Sequence, residues 1–289
     1  MDCKNIKVVL FCCDGLYQRD LMWRLYDHFR LQAIVLQVDP SARTGLWQRL
    51  SRYANPKALA RYLEARLKRR SYNLKAKPVL KSLFFRNGHF PTFPPDVPTI
   101  VVDNINSVRA EEALDQFQPD IVCVNGTRLI RPPILDRIPQ LPLGMINLHT
   151  GLSPYSRGGN CNLFMLIERH PELVGITIHH IDRGIDHGDI IITSRPDMSP
   201  DDNFEIIDGK TFKLGNECMA VAIKQLRDGK AERVRQWIEG KLFLRRTGYV
   251  YDPFLHVKVN RILSNGLIRD YLARKSEMDA GVRLIGAQT

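Results

Sequence analysis

No stretch of this sequence reaches the roughly 18 consecutive apolar residues that a membrane-spanning helix requires. The amino terminus, MDCKNIKVVLFCCDG, holds an acid and only a short apolar run. Neither a span nor a secretory leader is expected, and the reading is a cytoplasmic protein. Paired cysteine spacings are missing as well. The six cysteines, Cys3, Cys12, Cys13, Cys123, Cys161 and Cys218, form no C-x-x-C motif, and Cys12, Cys13 and Cys123 fall in apolar runs. That pattern argues for buried thiols in a reducing compartment and against a disulfide framework or a zinc site. No G-x-G-x-x-G follows the first apolar run, so a dinucleotide site is not supported. Acidic residues are scarce in one region: between Arg43 and Arg86, thirteen Lys and Arg stand against a single acid, Glu64. This block carries the whole of the +11 net charge. One basic block on a near-neutral chain suggests a local anionic partner, whereas a nucleic-acid binder would be basic throughout.

What is present reads as alternating α and β. Lys7 to Cys13 is a buried strand, Gln18 to Phe29 an amphipathic helix with Leu21, Met22, Leu25 and Phe29 on one stripe, and Ala33 to Val38 a second strand. Such an opening begins a doubly wound, mainly parallel sheet. The basic block interrupts the alternation. Leu46, Leu50 and Tyr53, then Leu59, Tyr62, Leu63 and Leu67, recur at helical spacing, so two basic amphipathic helices split at Asn55-Pro56 are expected. An aromatic, proline-rich connector from Phe84 returns to the sheet. Strands follow at Thr99 to Val102 and Asp120 to Val124, with a helix from Ser107 to Phe117 between them.

The chemistry lies between Gly144 and Ile192. Met145 to His149 reads as a strand, in which residues two apart share a face, so Asn147 and His149 project together. A loop rich in Gly, Ser and Pro follows from Thr150 to Gly159. After a helix (Cys161 to Arg169) and a strand (Val174 to Ile181), the turn Asp182 to Asp189 returns a carboxylate, Asp186, toward the strand end. An amide, an imidazole and a carboxylate at one strand terminus can polarise a carbonyl, stabilise an oxyanion and accept a proton. The adjacent His179 and His180 face opposite ways and are taken as structural. His149, His180, His187 and Asp186 lack tight metal-ligand spacing, so no metal is expected.

INLHTGLSPYSRGG followed by GITIHHIDRGIDHGDII resembles the folate-dependent formyltransferase family, which includes the glycinamide ribonucleotide, methionyl-tRNA and nucleotide-sugar amine formyltransferases. The resemblance implies a Rossmann-like α/β catalytic domain over residues 1–200 with a basic helical insertion at 43–90. Residues 201–289 would form a helix and a small appendage. It implies 10-formyltetrahydrofolate as donor, with Asn147, His149 and Asp186 as the catalytic triplet and His149 held cationic beside Asp186. Arg128, Leu129, Ile130, Arg183, Gly184 and Ile185 would line the folate site. Tyr155, Arg157, Gly158 and Gly159 would meet the acceptor.

The loop and turn wording looks most like the nucleotide-sugar amine branch, so the expected acceptor is a phosphate-bearing amino sugar. The basic block would act as a phosphate-gripping lid, as a peripheral anchor on anionic membrane, or as a solvated face. The alternatives are a hydroxylated amino acid or methionyl-tRNA as acceptor, a formyltetrahydrofolate hydrolase, and a non-catalytic binding module. The segment after residue 200 is shorter than the β-barrel that methionyl-tRNA formyltransferases carry, which argues against tRNA. All three catalytic residue types are present, which argues against a module that has lost its activity.

Overall fold

The structure, a computed structural model, describes residues 3–38 and 55–286. Its centre is a seven-stranded sheet. In chain order the strands are β1 (Lys7–Cys12), β2 (Arg30–Gln37), β3 (Thr99–Val102), β4 (Ile121–Asn125), β5 (Met145–His149), β7 (Ile176–His180) and β8 (Ile190–Ser194). They lie in the order β3-β2-β1-β4-β5-β7-β8. The first five pair in parallel, and β7 runs antiparallel to both its neighbours, β5 and β8. This is the mainly parallel, Rossmann-like sheet expected from the alternation.

The central strands are apolar without a break because both faces are covered. Alternate residues of β1 enter different cores: Val8, Leu10 and Cys12 pack with α1 (Leu16–His28) and α5 (Phe204–Arg227), while Val9 and Phe11 pack with α3 (Val108–Phe117). A third core joins α4 (Cys161–Ile167) and the start of α5 to α6 (Phe254–Ser264), α7 (Leu267–Ala273) and the short strand β9 (Lys241–Phe243). A last short helix, α8, covers Lys275–Asp279. The segment after α5 therefore shares a core with the helix that follows the Thr150 to Gly159 loop.

The basic block differs from its expected form. The first of its two expected helices, with Leu46, Leu50 and Tyr53, lies outside the described residues. The second begins where the break was expected, with the Asn55 side chain accepting the backbone N–H of Lys57 and Pro56 in the first turn. It then runs unbroken as α2 (Pro56–Phe84), passing through Pro78. Leu63 and Leu67, expected to face inward, are 48% and 68% exposed. The inward stripe is instead Ala65, Arg69, Tyr72, Ala76 and Leu80, spaced at three and four residues, with Ala65 and Ala76 fully buried. Small residues let α2 approach α5 closely, and a Cβ added at Gly209 of α5 would collide with the Leu80 side chain.

Among the described residues no helix is long and apolar enough to cross a membrane. No group of three or more His, Cys, Asp or Glu among them is placed to hold a metal ion.

Candidate active site

The switch from parallel to antiparallel pairing occurs at β5, and the site is built on it. β7 runs antiparallel to β5 with Asn147 opposite His179 and His149 opposite Thr177. Directly paired residues share a face, so the register sets the His179 ring beside the Asn147 amide. Asn147 Nδ2 lies 3.1 Å from His179 Nε2. His179 Nδ1 lies 2.8 Å from the carbonyl oxygen of His180, which can only accept, so Nδ1 carries the proton. In a neutral ring Nε2 then accepts one Asn147 N–H. The other N–H of that amide points toward Asp186 Oδ1 at 3.4 Å, a long contact that a ligand can replace.

Asp186 is held by three elements. Its backbone adopts φ 45, tightening the turn. Oδ2 accepts the Gly158 N–H at 2.9 Å and lies 3.5 Å from His149 Nδ1, while Oδ1 lies 3.5 Å from His179 Nε2. Gln236, beyond α5, donates to the carbonyls of Asp186 and Gly188 at 2.7 and 3.2 Å and clamps the turn from outside. Gly158 lies on the short strand β6 (Ser156–Gly158), which pairs in parallel with β9. Its φ is +96, and an added Cβ would sit 2.5 Å from the Phe243 carbonyl oxygen. Glycine is required there, and it positions the N–H that holds Asp186.

The electrostatics divide the pair. Burial pushes the Asp186 carboxyl up, but the attraction of the His149 and His179 rings whenever either is protonated, and the hydrogen bond from the Gly158 N–H, together outweigh it. Asp186 is thus held well below the usual carboxylate range and stays ionised. His149 is 7% exposed, and burial pushes its imidazole below the ordinary value against the opposing pull of Asp186. The cationic His149 expected from the sequence is therefore disfavoured in the unliganded site. Its Nε2 is buried without a hydrogen-bond partner and faces Gly151, where an added Cβ would collide with it.

A cleft of about 340 Å³ opens over these groups at the strand ends, where ligands of such sheets bind. Asn147, His179 and Asp186 line it with Gly158 and Gly159, and its apolar walls are Val124, Leu129, Ile130, Ile181 and Ile185. Arg128 and Gly184 line it as well. The loop after β4 is fixed there by Gln37, which accepts the Arg128 N–H, and by Asn106, which accepts from Arg131 N and donates to the Leu129 carbonyl.

Of the residues singled out from the sequence, the cleft gathers Asn147, Asp186, Arg128, Leu129, Ile130, Gly184, Ile185, Gly158 and Gly159. His149 sits behind Asp186. Three residues fall elsewhere. The Arg183 side chain is 86% exposed, 4.0 Å from Asp136. The Tyr155 hydroxyl accepts the Arg283 N–H, and its ring packs edge-on to Trp237. Arg157 is buried with its guanidinium 4.0 Å from Glu239. The sequence takes His179 as structural and gives no sign of Gln236, yet both hold the site.

Residues 103–223 match the family described as Formyl transferase. The methionyl-tRNA formyltransferase of Kosmotoga olearia is 30% identical over 141 residues, 48% of this chain and 44% of that protein. The chain spans less than half the length of that relative. Two solved structures share the fold. The phosphoribosylglycinamide formyltransferase of Anaplasma phagocytophilum superposes with a TM-score of 0.52 at 15% identity, over 83% of this chain and 99% of that one. A 4-N formyltransferase from Francisella tularensis gives 0.50 at 18% identity, over 82% and 75%. The Asn-x-His strand and the returning aspartate turn lie inside the matched residues, and over that stretch the chain is similar to the formyl transferases.

Proposed function

We propose that the protein transfers a formyl group from 10-formyltetrahydrofolate to a primary amine, that of a nucleotide-linked amino sugar, in the cytoplasm. The observation that carries this reading is the cleft itself, in which an amide N–H engaged only in a long 3.4 Å contact and an ionised carboxylate meet beneath apolar walls. Val124, Leu129, Ile130, Ile181 and Ile185 fit a flat pterin ring, and the backbone of the loop after β4 can hydrogen-bond its edge. The folate supplies the activated formyl group.

The chain's own residues then have separate roles. Asn147, with one N–H taken up by His179, directs the other at the formyl oxygen and stabilises the negative charge that gathers there. Asp186 accepts the proton of the attacking amine, directly or through water, and passes it to His149. Asp186 is held in its charged form and burial favours the neutral form of His149, so the imidazole is available to take that proton on. The resulting imidazolium lies 3.5 Å from the Asp186 carboxylate and offsets charge on the substrate. The new C–N bond gives a tetrahedral intermediate, which collapses by breaking the bond from the formyl carbon to the folate nitrogen, and that nitrogen takes the proton back from the His149 imidazolium by way of Asp186 or water. No covalent enzyme adduct is required.

The amino-sugar acceptor rests on the wording of the loops and on the basic helix α2, whose guanidinium and ammonium groups suit a diphosphate. A second reading, methionyl-tRNA as acceptor, is favoured by the curated relatives. Incubation with 10-formyltetrahydrofolate and either a panel of nucleotide-linked amino sugars or methionyl-tRNA, with mass detection of the formylated product, separates the two. Product from tRNA alone overturns the acceptor; donor breakdown without any amine overturns the transferase and leaves a hydrolase.

A further inference from the structure

A second cavity, about 490 Å³ in volume, lies across the Thr150 to Gly159 loop from the catalytic cleft. The two share that loop but no residue: Gly159 lines the first, while Thr150 and Asn160 line the second. His149 touches the lining of both: its Nδ1 is 3.5 Å from Asp186 of the first, and the next residue, Thr150, lines the second. The remaining wall comes from outside the sheet. Arg69 is contributed by α2, Asp208 and Phe212 by α5, Tyr251 by the segment before α6, and His256 by α6.

Arg69 is out of place by the logic of its own helix. It occupies the inward stripe otherwise made of Ala65, Tyr72, Ala76 and Leu80, where a guanidinium costs desolvation unless it has partners. One of its nitrogens donates to the Tyr251 hydroxyl at 3.1 Å, and Nε is buried with no hydrogen-bond partner. Asp208 stands one turn along α5 from Glu205. Glu205 is satisfied, accepting from Asn260 and pairing with the His256 ring at 3.0 Å each. Asp208 is bonded by the Tyr17 hydroxyl and faces the cavity. Burial and the neighbouring Glu205 charge push it up to about 7, against the Tyr17 hydrogen bond and Arg69. A carboxyl so poised can donate to or accept from a hydroxyl.

We infer that this cavity holds the amine acceptor, with Arg69 gripping an anionic phosphate oxygen and Asp208 bonding a sugar hydroxyl, so that the acceptor is a phosphorylated amino sugar. The inference rests on the formyl-transfer reading and gives its acceptor a location. The basic helix then contributes through the one cation it turns inward, and the segment after α5 contributes Tyr251 and His256.

The test is calorimetric titration of the full chain with tetrahydrofolate, then with UDP-glucosamine as the probe, for the wild type, Arg69→Gln, Arg69→Lys and Asp208→Asn. The expected result is that all four bind tetrahydrofolate alike. UDP-glucosamine should bind the wild type, about tenfold or more weakly Arg69→Gln, and with intermediate affinity Arg69→Lys, since a charge-assisted hydrogen bond is lost in one and partly kept in the other. Equal tetrahydrofolate affinity also shows that each variant is folded. Tetrahydrofolate binding with UDP-glucosamine binding that is absent, or indifferent to Arg69 and Asp208, overturns this inference alone. Failure of the wild type to bind tetrahydrofolate overturns the formyl-transfer reading with it.

Discussion

The two cavities on either side of the Thr150 to Gly159 loop are built from different materials. The cleft beneath Asn147 and Asp186 is assembled from strand ends and the loops directly after them, and its walls are apolar. The cavity beside Thr150 is closed by helices and a coil that lie outside the sheet, and it places a guanidinium and a carboxyl in its wall. Reaction chemistry needs groups fixed to within a fraction of an ångström, which a sheet provides, whereas acceptor choice can be set by peripheral elements that vary without disturbing it. Changes to the first region should therefore act on turnover, and changes to the second on acceptor affinity.

The largest effect is expected at the amide. Asn147→Ala removes the donor to the formyl oxygen and should lower kcat by about 10²- to 10³-fold, with little change in acceptor KM. Near-normal turnover in a steady-state assay would erase the distinction between the regions.

Gly158→Ala comes next, because a methyl group cannot enter beside the Phe243 carbonyl at a φ of +96. The strand β6 must shift and take its N–H away from Asp186. Lower kcat together with a lower melting temperature is expected, roughly 1–3 kcal/mol less stable. Full activity would show that this N–H does not hold the carboxylate.

His179 acts through Asn147, as a positioning residue. His179→Ala should lower kcat by about tenfold or more and alter its pH profile, while His179→Gln, which can still accept from the amide, should recover part of the loss. A loss that Gln does not relieve would point to a packing role.

Asp208 offers a pH test in the second region. Its folded value, about 7, lies above the 3.8 of an ordinary aspartate, so the unfolded chain releases its proton first as pH rises. Its contribution to stability is complete below about pH 4 and is lost up to about pH 7. The groups around it, Glu205, His256, Tyr17 and Arg69, remain in the variant. The melting temperature of Asp208→Asn relative to wild type should therefore rise from pH 4 to 7 and level off. A difference that does not change with pH would remove the perturbed carboxyl from the account.

The smallest effect belongs to the outward face of α2. Arg66, Lys68 and Arg70 are exposed, so replacing all three with Gln should leave acceptor KM almost unchanged, unlike Arg69→Gln alone. Equal effects would restore the whole basic block as the phosphate grip.

How much of this could be read from residues alone follows the same division. The pair Asn147 and His149 was legible because a strand has period two, and the parallel core because β1 and β4 are unbroken apolar runs. His179 was not, since its place beside Asn147 depends on the antiparallel register of β7 against β5, set over thirty residues away. Tyr155 and Arg157 do not line the cleft, although their Gly- and Ser-rich surroundings look like a binding loop. Residues Ser156–Gly158 instead pair with β9, whose sequence carries no sign of its partner. Arg69 was hidden among neighbouring cations because the inward face of α2 is marked by Ala65 and Ala76 and not by Leu63 and Leu67.

The central claim is tested most directly by a single-turnover experiment with isotope-labelled 10-formyltetrahydrofolate, run with and without the amino-sugar acceptor, on the wild type and on Asp186→Asn. The account predicts label in the acceptor's amide only when acceptor is present, and a rate at least about 10²-fold slower for Asp186→Asn. Label released as formate at the same rate without an amine, or an undiminished transfer rate in Asp186→Asn, would contradict it.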